Sequence, residues 1–361
     1  MRLSRVVGAL PSVTPFVSPE AIVRDEKRPL RLRLGANESW IGPSDAARQA
    51  MARAIEEVWM YGDPECHDLR ERIAAANAVP VDRVFVGPGI DGILGLIAAA
   101  SLDPGDRVVA SLGCYPTFGY AVRGVGGEVI TAPYRDDHND LAALMEHCRR
   151  VSPKLVYLPN PDNPSGTLLQ REAIEQFVAE LPEETTLVLD EAYAEFANGA
   201  LPRFGRDEPR VIRLRTFSKV YGMAGCRVGV MLGSSEAVNA VGRIRMHFAV
   251  NRVGLAGALA CFGDQAFIDR VVGDADRGKA ALAEIAVDCG FRPIPSHTNF
   301  LAMDTGSADR ARSIVQALRQ RDVFIRMPWG PPLDACIRVT VGSAEDLDQF
   351  GEILREVVKS V

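Results

Sequence analysis

The sequence predicts an α/β fold: a three-layer α/β/α large domain built on a mostly parallel sheet, followed by a smaller α+β domain. Short, continuously apolar runs alternate with stretches of helical spacing between about residues 83 and 232. Near residue 264 that rhythm gives way to a long charge-rich helix and shorter strands. The 361 residues, 47% of them hydrophobic and 24% charged, are enough for one large core and a satellite.

Residues 1–40 carry Pro11, Pro15, Pro19 and Pro29 without an apolar period, which reads as an extended arm and not a packed helix. Such an arm usually lies on another surface, and a partner subunit is one candidate. After Pro43, Ser44 is an N-cap for a helix to Met60 in which Ala47, Met51, Ala54, Ile55 and Val58 recur at helical spacing. A second helix is expected from Cys66 to Asn77. The apolar runs follow: Arg83–Val86, Arg107–Ala110, Glu128–Thr131, Lys154–Leu158, Thr186–Asp190, Val211–Leu214 and Arg227–Leu232. Most are too short and too continuously apolar to be half exposed, so parallel strands covered on both faces are expected. Beyond them come a helix over Asp264–Cys289 and strands near Thr298–Met303, Val323–Arg326 and Cys336–Val341. The expected organisation is residues 1–40 as an arm joining the small domain, 41–264 as the large domain and 265–361 as the small one.

A net charge of -6 and a pI near 5.6 argue against a nucleic-acid surface. Seven scattered cysteines with no C-x-x-C spacing signal neither a disulfide framework nor a zinc site, so no metal is expected. The N-terminal Met1–Leu10 lacks the apolar core of a signal peptide, and no run approaches the roughly 20 apolar residues of a membrane span. A cytoplasmic protein with reduced thiols is the expectation.

In a parallel sheet of this kind ligands bind beyond the carboxyl ends of the strands. Val86 runs into Gly87-Pro-Gly89-Ile90-Asp91-Gly92 ahead of an apolar helix, where free N–H groups and the helix dipole suit a phosphate, or where the chain simply turns tightly. Leu158 leads into a proline-stiffened loop, Pro159 to Gly166, that holds Asn163 in one place. Asp190 ends an apolar strand, so unless it caps a helix its carboxylate needs a cation or a protonated ring nitrogen. Thr216 to Gly229 packs Ser218, Lys219, Arg227 and three glycines into one stretch. Lys219 there is either a phosphate clamp or the partner of a carbonyl in an imine, the latter requiring a pKa well below the usual value of about 10.4.

The clamp reading needs G-x-x-x-x-G-K-[ST], which does not precede Lys219, and Gly87 to Gly92 does not fit G-x-G-x-x-G. A cofactor combining an aldehyde, a pyridine ring and a phosphate would use every group at once. Asp190 would hold the ring nitrogen protonated, and Asn163 and Tyr193 would hydrogen-bond the ring hydroxyl. Ser218, Arg227 and the amides of Gly89, Ile90 and Asp91 would hold the phosphate, with Thr216 beside them.

The ordered set Leu34-Gly-Ala-Asn37-Glu38, Tyr61-Gly-Asp-Pro64 with Leu69-Arg70, Gly87 to Gly92, Pro116-Thr-Phe118, Asn160 to Gly166, Asp190-Glu-Ala-Tyr193, Thr216 to Gly229 and Ile337 to Gly342 resembles one family. It is that of the fold-type I aminotransferases that use pyridoxal 5'-phosphate, in their histidinol-phosphate branch. The resemblance implies that Lys219 carries the cofactor, with Asp190 and Tyr193 as its catalytic companions, and that Phe118 stacks on the pyridine ring. It implies Arg338 for the α-carboxylate, Arg326 for a substrate phosphate, and Asn37 and Phe16 as further substrate contacts, Phe16 standing where the family often has tyrosine. Tyr61 would reach a neighbouring subunit's cofactor phosphate, making the protein a homodimer. The implied reaction moves an amino group from a small donor, histidinol phosphate first, to a 2-oxo acid. Aromatic or other amino donors, a decarboxylation or cyclisation at the same cofactor, and a cofactor-binding regulator are the alternatives.

Overall fold

The computed structural model describes residues 1–11, 17–202 and 208–361. All seven apolar runs lie in one seven-stranded sheet, in the order Val84–Gly87, Gly229–Leu232, Val211–Thr216, Thr186–Asp190, Leu155–Pro159, Arg107–Ser111 and Glu128–Ala132. Four neighbouring pairs run parallel, while Gly229–Leu232 runs antiparallel to both of its partners. The sheet is therefore mostly parallel, as expected.

Its strands are apolar throughout because both faces are covered. Val108, Tyr157, Val188, Ile212 and Leu214 pack with Ile93, Leu94 and Val122 of the helices Gly89–Ser101 and Pro116–Gly124. Their neighbours Val109, Val156, Leu158, Leu187, Leu189 and Val211 pack on the other side with Leu144, Cys148, Ile174 and Phe177 of Leu141–Val151 and Arg171–Glu180. This alternation is the period-two pleat of a strand with two buried faces.

The helix Gln265–Asp288, capped by Asp264, leads into a three-stranded antiparallel sheet of Arg292–Pro293, Phe300–Asp304 and Cys336–Thr340. Leu32–Arg33 pairs in parallel with Val323–Phe324, and Leu32 and Leu34 enter the same core as Leu282, Ile314 and Phe350. The chain before it is not wholly extended, which corrects the expectation for the arm. Pro19–Glu26 is a helix whose Ser18 side chain accepts the Ala21 N–H at 3.1 Å, with Pro19 in the first turn and Pro19 and Ile22 buried. Proline pre-sets the first helical turn, and here it starts the helix.

The lysine-bearing stretch reaches its position through Gly222, which has φ +66° and lies so close to the preceding segment that a Cβ would stand 2.1 Å from the Gly42 carbonyl oxygen. Replacing Gly222 with Ala should lower the unfolding free energy by about 2–4 kcal/mol, from the left-handed φ and the backbone clash together. Urea titration with an unchanged midpoint would contradict the close approach of these two segments.

Candidate active site

The ends of three neighbouring strands, at Pro159, Asp190 and Thr216, open into a cavity of about 440 Å³. Its wall includes Ile90, Asp91, Tyr115, Asn163, Tyr193, Ser218, Lys219 and Arg227. Segments far apart in sequence meet here because each leaves the sheet at the same edge.

The Lys219 amine donates to the Asn37 carbonyl at 3.1 Å and stands 5.5 Å from the centroid of the Tyr193 ring. Burial, and after it the Arg338 charge, pushes the Lys219 pKa down to about 8. Asp190 Oδ2 accepts the Tyr157 hydroxyl at 2.6 Å and Oδ1 the Ala192 N–H at 3.0 Å. Burial pushes Asp190 up to about 6 against those hydrogen bonds. An amine and a carboxyl that both titrate near neutrality, in one cavity, are suited to moving protons.

At the end of Val84–Gly87, Gly89 takes φ +74°, and a Cβ there would stand 2.5 Å from Arg227 Nη2. A Cβ on Gly229 would lie 2.8 Å from the Ile90 nitrogen. Without those Cβ atoms the Arg227 guanidinium can lie against the start of the helix Gly89–Ser101, and Arg227, Ser218, Ile90 and Asp91 line the same cavity, where helix amides and a cation suit an anion. Thr216 Oγ1 donates to Ser218 Oγ at 2.9 Å and accepts the Ser218 N–H at 3.1 Å. Arg227 Nη2 donates to Asp91 Oδ2 at 3.3 Å, and the Tyr115 hydroxyl donates to Asp91 Oδ1 at 2.8 Å. Pyridoxal phosphate fits this donor set: a cation, a hydroxyl and helix amides for the phosphate, a lysine for the aldehyde, and Asp190 for the ring.

Asn37 donates through Nδ2 to the Tyr193 hydroxyl at 2.8 Å. Asn163 lines the cavity and its Oδ1 accepts Arg338 Nη1, whose neighbour Nη2 donates to the Gly35 carbonyl at 3.1 Å. Arg338 Nε is buried with no hydrogen-bond partner, an orphaned donor on the side chain that holds Asn163 of the cavity wall. Burial lowers the Arg338 pKa, and burial followed by the Arg338 charge lowers that of Arg326 to about 10. Arg326 donates to the Val17 carbonyl at 2.8 Å and pairs with Arg338 through the backbone, at the arm and not in the cavity wall.

Gly89, Asn37, Arg326 and Arg338 lie behind or beside that wall, and two expected aromatic residues, Phe118 and Tyr61, are not in it either. Phe118 is fully buried on the inward face of its helix, its ring stacked on Tyr157 with centroids 4.7 Å apart, and Tyr115, just before that helix, lines the cavity together with Tyr193. Tyr61 is exposed and stacks on Phe248 at 4.4 Å. Phe16 lies outside the described residues. Sequence reasoning missed Ser18, Pro19 and Glu20 of the arm helix, and Arg33, which joins Glu20 to Glu38 at the cavity mouth with its guanidinium 2.8 Å from Glu38. The Ser-Pro-Glu start of a helix was a readable signal for the first three; nothing in the sequence singled out Arg33.

A model of the aminotransferase class I and II family matches residues 31–354. The chain is 31% identical over 363 residues to the histidinol-phosphate aminotransferase of Moorella thermoacetica, covering 97% of this chain and 92% of that protein. It is 34% identical over 354 residues to that of Sphingopyxis alaskensis, covering 95% and 94%. The solved structure of histidinol-phosphate aminotransferase from Sinorhizobium meliloti in complex with pyridoxal-5'-phosphate matches with a TM-score of 0.96 and 42% identity, over 99% of this chain and 98% of that one.

The electrostatics of the cavity can be checked without any ligand. In cofactor-free protein the Lys219 amine, followed by NMR after selective carbon-13 methylation, should titrate near pH 8. Because the Arg338 charge acts to lower that value, Arg338→Met should move the midpoint upward; a fall or no movement contradicts the arrangement.

Proposed function

We propose that this chain, which belongs to the class I and II aminotransferase family, is a pyridoxal-phosphate-dependent histidinol-phosphate aminotransferase. It passes the amino group of L-histidinol phosphate to 2-oxoglutarate, giving imidazole acetol phosphate and L-glutamate. One observation carries the chemistry: Lys219, with a pKa near 8, and Asp190, near 6, face the same cavity beside an anion cradle. The shared name of the relatives described above supports the substrate.

When bound, pyridoxal phosphate supplies an aldehyde that captures the donor amine and a protonated ring that draws electrons away from the donor's Cα. The residues of this chain do the rest. Arg227, Ser218 and the amides at Gly89 to Asp91 bind the phosphate, and Asp190 holds a proton at the ring nitrogen. Lys219, able to lose its proton near neutral pH, takes the proton from the donor's Cα. Tyr193 and Asn163 orient the ring hydroxyl.

Histidinol phosphate carries a phosphate ester, joined through a CH2–O link, where glutamate has its α-carboxylate. Arg338, with its buried and unpaired Nε, suits either anion, and Arg326 beside it adds the second positive charge that a phosphate dianion favours. We also infer a homodimer: Ile55, Val58, Trp59 and Tyr61 are exposed, as are Met246 and Phe248, and the Tyr61 and Phe248 rings stack on each other, apolar surface of the kind a partner subunit covers. Tyr61 on that surface would reach the partner's cofactor phosphate. No described helix is long and apolar enough to cross a membrane, and the cytoplasm is the proposed location.

Histidinol phosphate should bleach the absorbance of the bound cofactor and 2-oxoglutarate should restore it. A spectrum unmoved by histidinol phosphate but bleached by phenylalanine assigns another donor. Lys219→Ala should cut turnover by at least about 10³-fold, and retained multiple turnover contradicts the proton-transfer role. Tyr61→Ala should weaken cofactor retention on equilibrium dialysis, while analytical ultracentrifugation should still report two subunits if only the phosphate contact is lost.

A further inference from the structure

Tyr157 belongs to the strand Leu155–Pro159, beside Thr186–Asp190, and is fully buried. Its ring stacks on Phe118 at an interplanar angle of 13°, a place that phenylalanine would fill equally well. What phenylalanine lacks is the hydroxyl, which donates to Asp190 Oδ2 at 2.6 Å. The second carboxylate oxygen takes the Ala192 N–H at 3.0 Å. An ionised carboxylate offers about four acceptor sites, so with one donor on each oxygen it keeps capacity toward the cavity wall, which it helps to form.

We propose that Tyr157 is a positioning residue for the reaction: its hydroxyl fixes the Asp190 carboxylate in the orientation that meets the cofactor's ring nitrogen and keeps their shared proton on that nitrogen. The inference rests on the pyridoxal phosphate reading above.

The physical reason is that a donor aimed at a carboxylate stabilises the anion and makes it a weaker base. Burial drives Asp190 toward its neutral form, and the Tyr157 hydroxyl is the first of the opposing influences. The other titratable groups facing Asp190 help less. Asp91 raises its pKa further, and Lys219 lowers it but is itself close to losing its proton. Tyr115, Tyr193 and Cys114 are held protonated by burial, as is Tyr157, whose pKa lies well above the ordinary phenol value. Tyr157 therefore stays a donor at any working pH. Without it the carboxylate becomes the stronger base of the pair and takes the proton from the ring, and the ring loses its pull on the donor's electrons.

The test is Tyr157→Phe, reconstituted with cofactor labelled with nitrogen-15 in the ring. The pH at which the ring nitrogen loses its proton, read from its chemical shift, should fall relative to the unmodified enzyme. Turnover, kcat, should drop about 10- to 100-fold with KM little changed, the size expected for one hydrogen bond to a charged group. A folded variant with the original midpoint and kcat overturns the inference while leaving the function intact. If Tyr157→Phe does not fold, 3-fluorotyrosine at position 157, a stronger donor of nearly the same shape, should raise the midpoint, and no rise overturns it. Failure of the unmodified enzyme to bind the cofactor at all overturns both this inference and the functional reading.

Discussion

A lysine amine enclosed at the end of a sheet, with no carboxylate paired to it among the described residues, is the constraint on which the rest of the site depends. Its contact is a backbone carbonyl, that of Asn37, at 3.1 Å. Keeping an ammonium out of water is costly, and burial first and Arg338 second bring the pKa down to about 8, so the proton leaves far more easily than from an exposed lysine. An amine in that state can act as a nucleophile and as a base, which an exposed lysine near 10.4 cannot do at neutral pH.

That enclosure is built at a junction. Lys219 follows the strand Val211–Thr216 of the large sheet, whereas Asn37 follows the strand Leu32–Arg33, which pairs with Val323–Phe324 of the small unit. The Asn37 carbonyl also accepts Asn299 Nδ2 at 3.1 Å, its side chain spans from Thr340 Oγ1 at 3.0 Å to the Tyr193 hydroxyl at 2.8 Å, and its φ is 55°. One residue thus ties together the two units and the arm. The groups that suit the cofactor follow strands of the large sheet, while Arg326 and Arg338 belong to the small unit, and the Arg338 charge reaches Lys219 across the junction.

The seven strands were legible because burial on both faces removes the polar alternation that blurs half-exposed strands. Asp190, Asn163 and Lys219 were legible because each is polar at the end of an apolar run. The arm helix was missed because four prolines in forty residues were weighed as helix breakers, although Ser18-Pro19-Glu20 is also how a helix begins. Phe118 was placed on the cofactor by motif position, and only packing shows that its ring turns inward while Tyr115 faces out. Tyr157 could not be singled out, since in an apolar run a tyrosine looks like any other core residue until its hydroxyl is seen to meet Asp190.

The pair Asp190-Glu191 shows why adjacency in sequence says little about role. Glu191 is fully buried and gripped by two guanidiniums, Arg213 at 2.9 and 3.0 Å and Arg215 at 2.7 Å. Burial works against its charge, but Arg215 and Arg213 overcome it and hold the carboxyl below its usual range. Asp190, one residue earlier, meets only neutral hydrogen-bond donors and is driven the other way. Those arginines alternate with Ile212 and Leu214 along Val211–Thr216, so the strand sends its charges to the side where Glu191 turns and its apolar side chains into the core. One carboxylate is locked as an anion and secures the chain just past the strand; the other is left near neutrality, free to share a proton. Neighbouring residues with opposed environments are how a single short motif provides both an anchor and a reactive group.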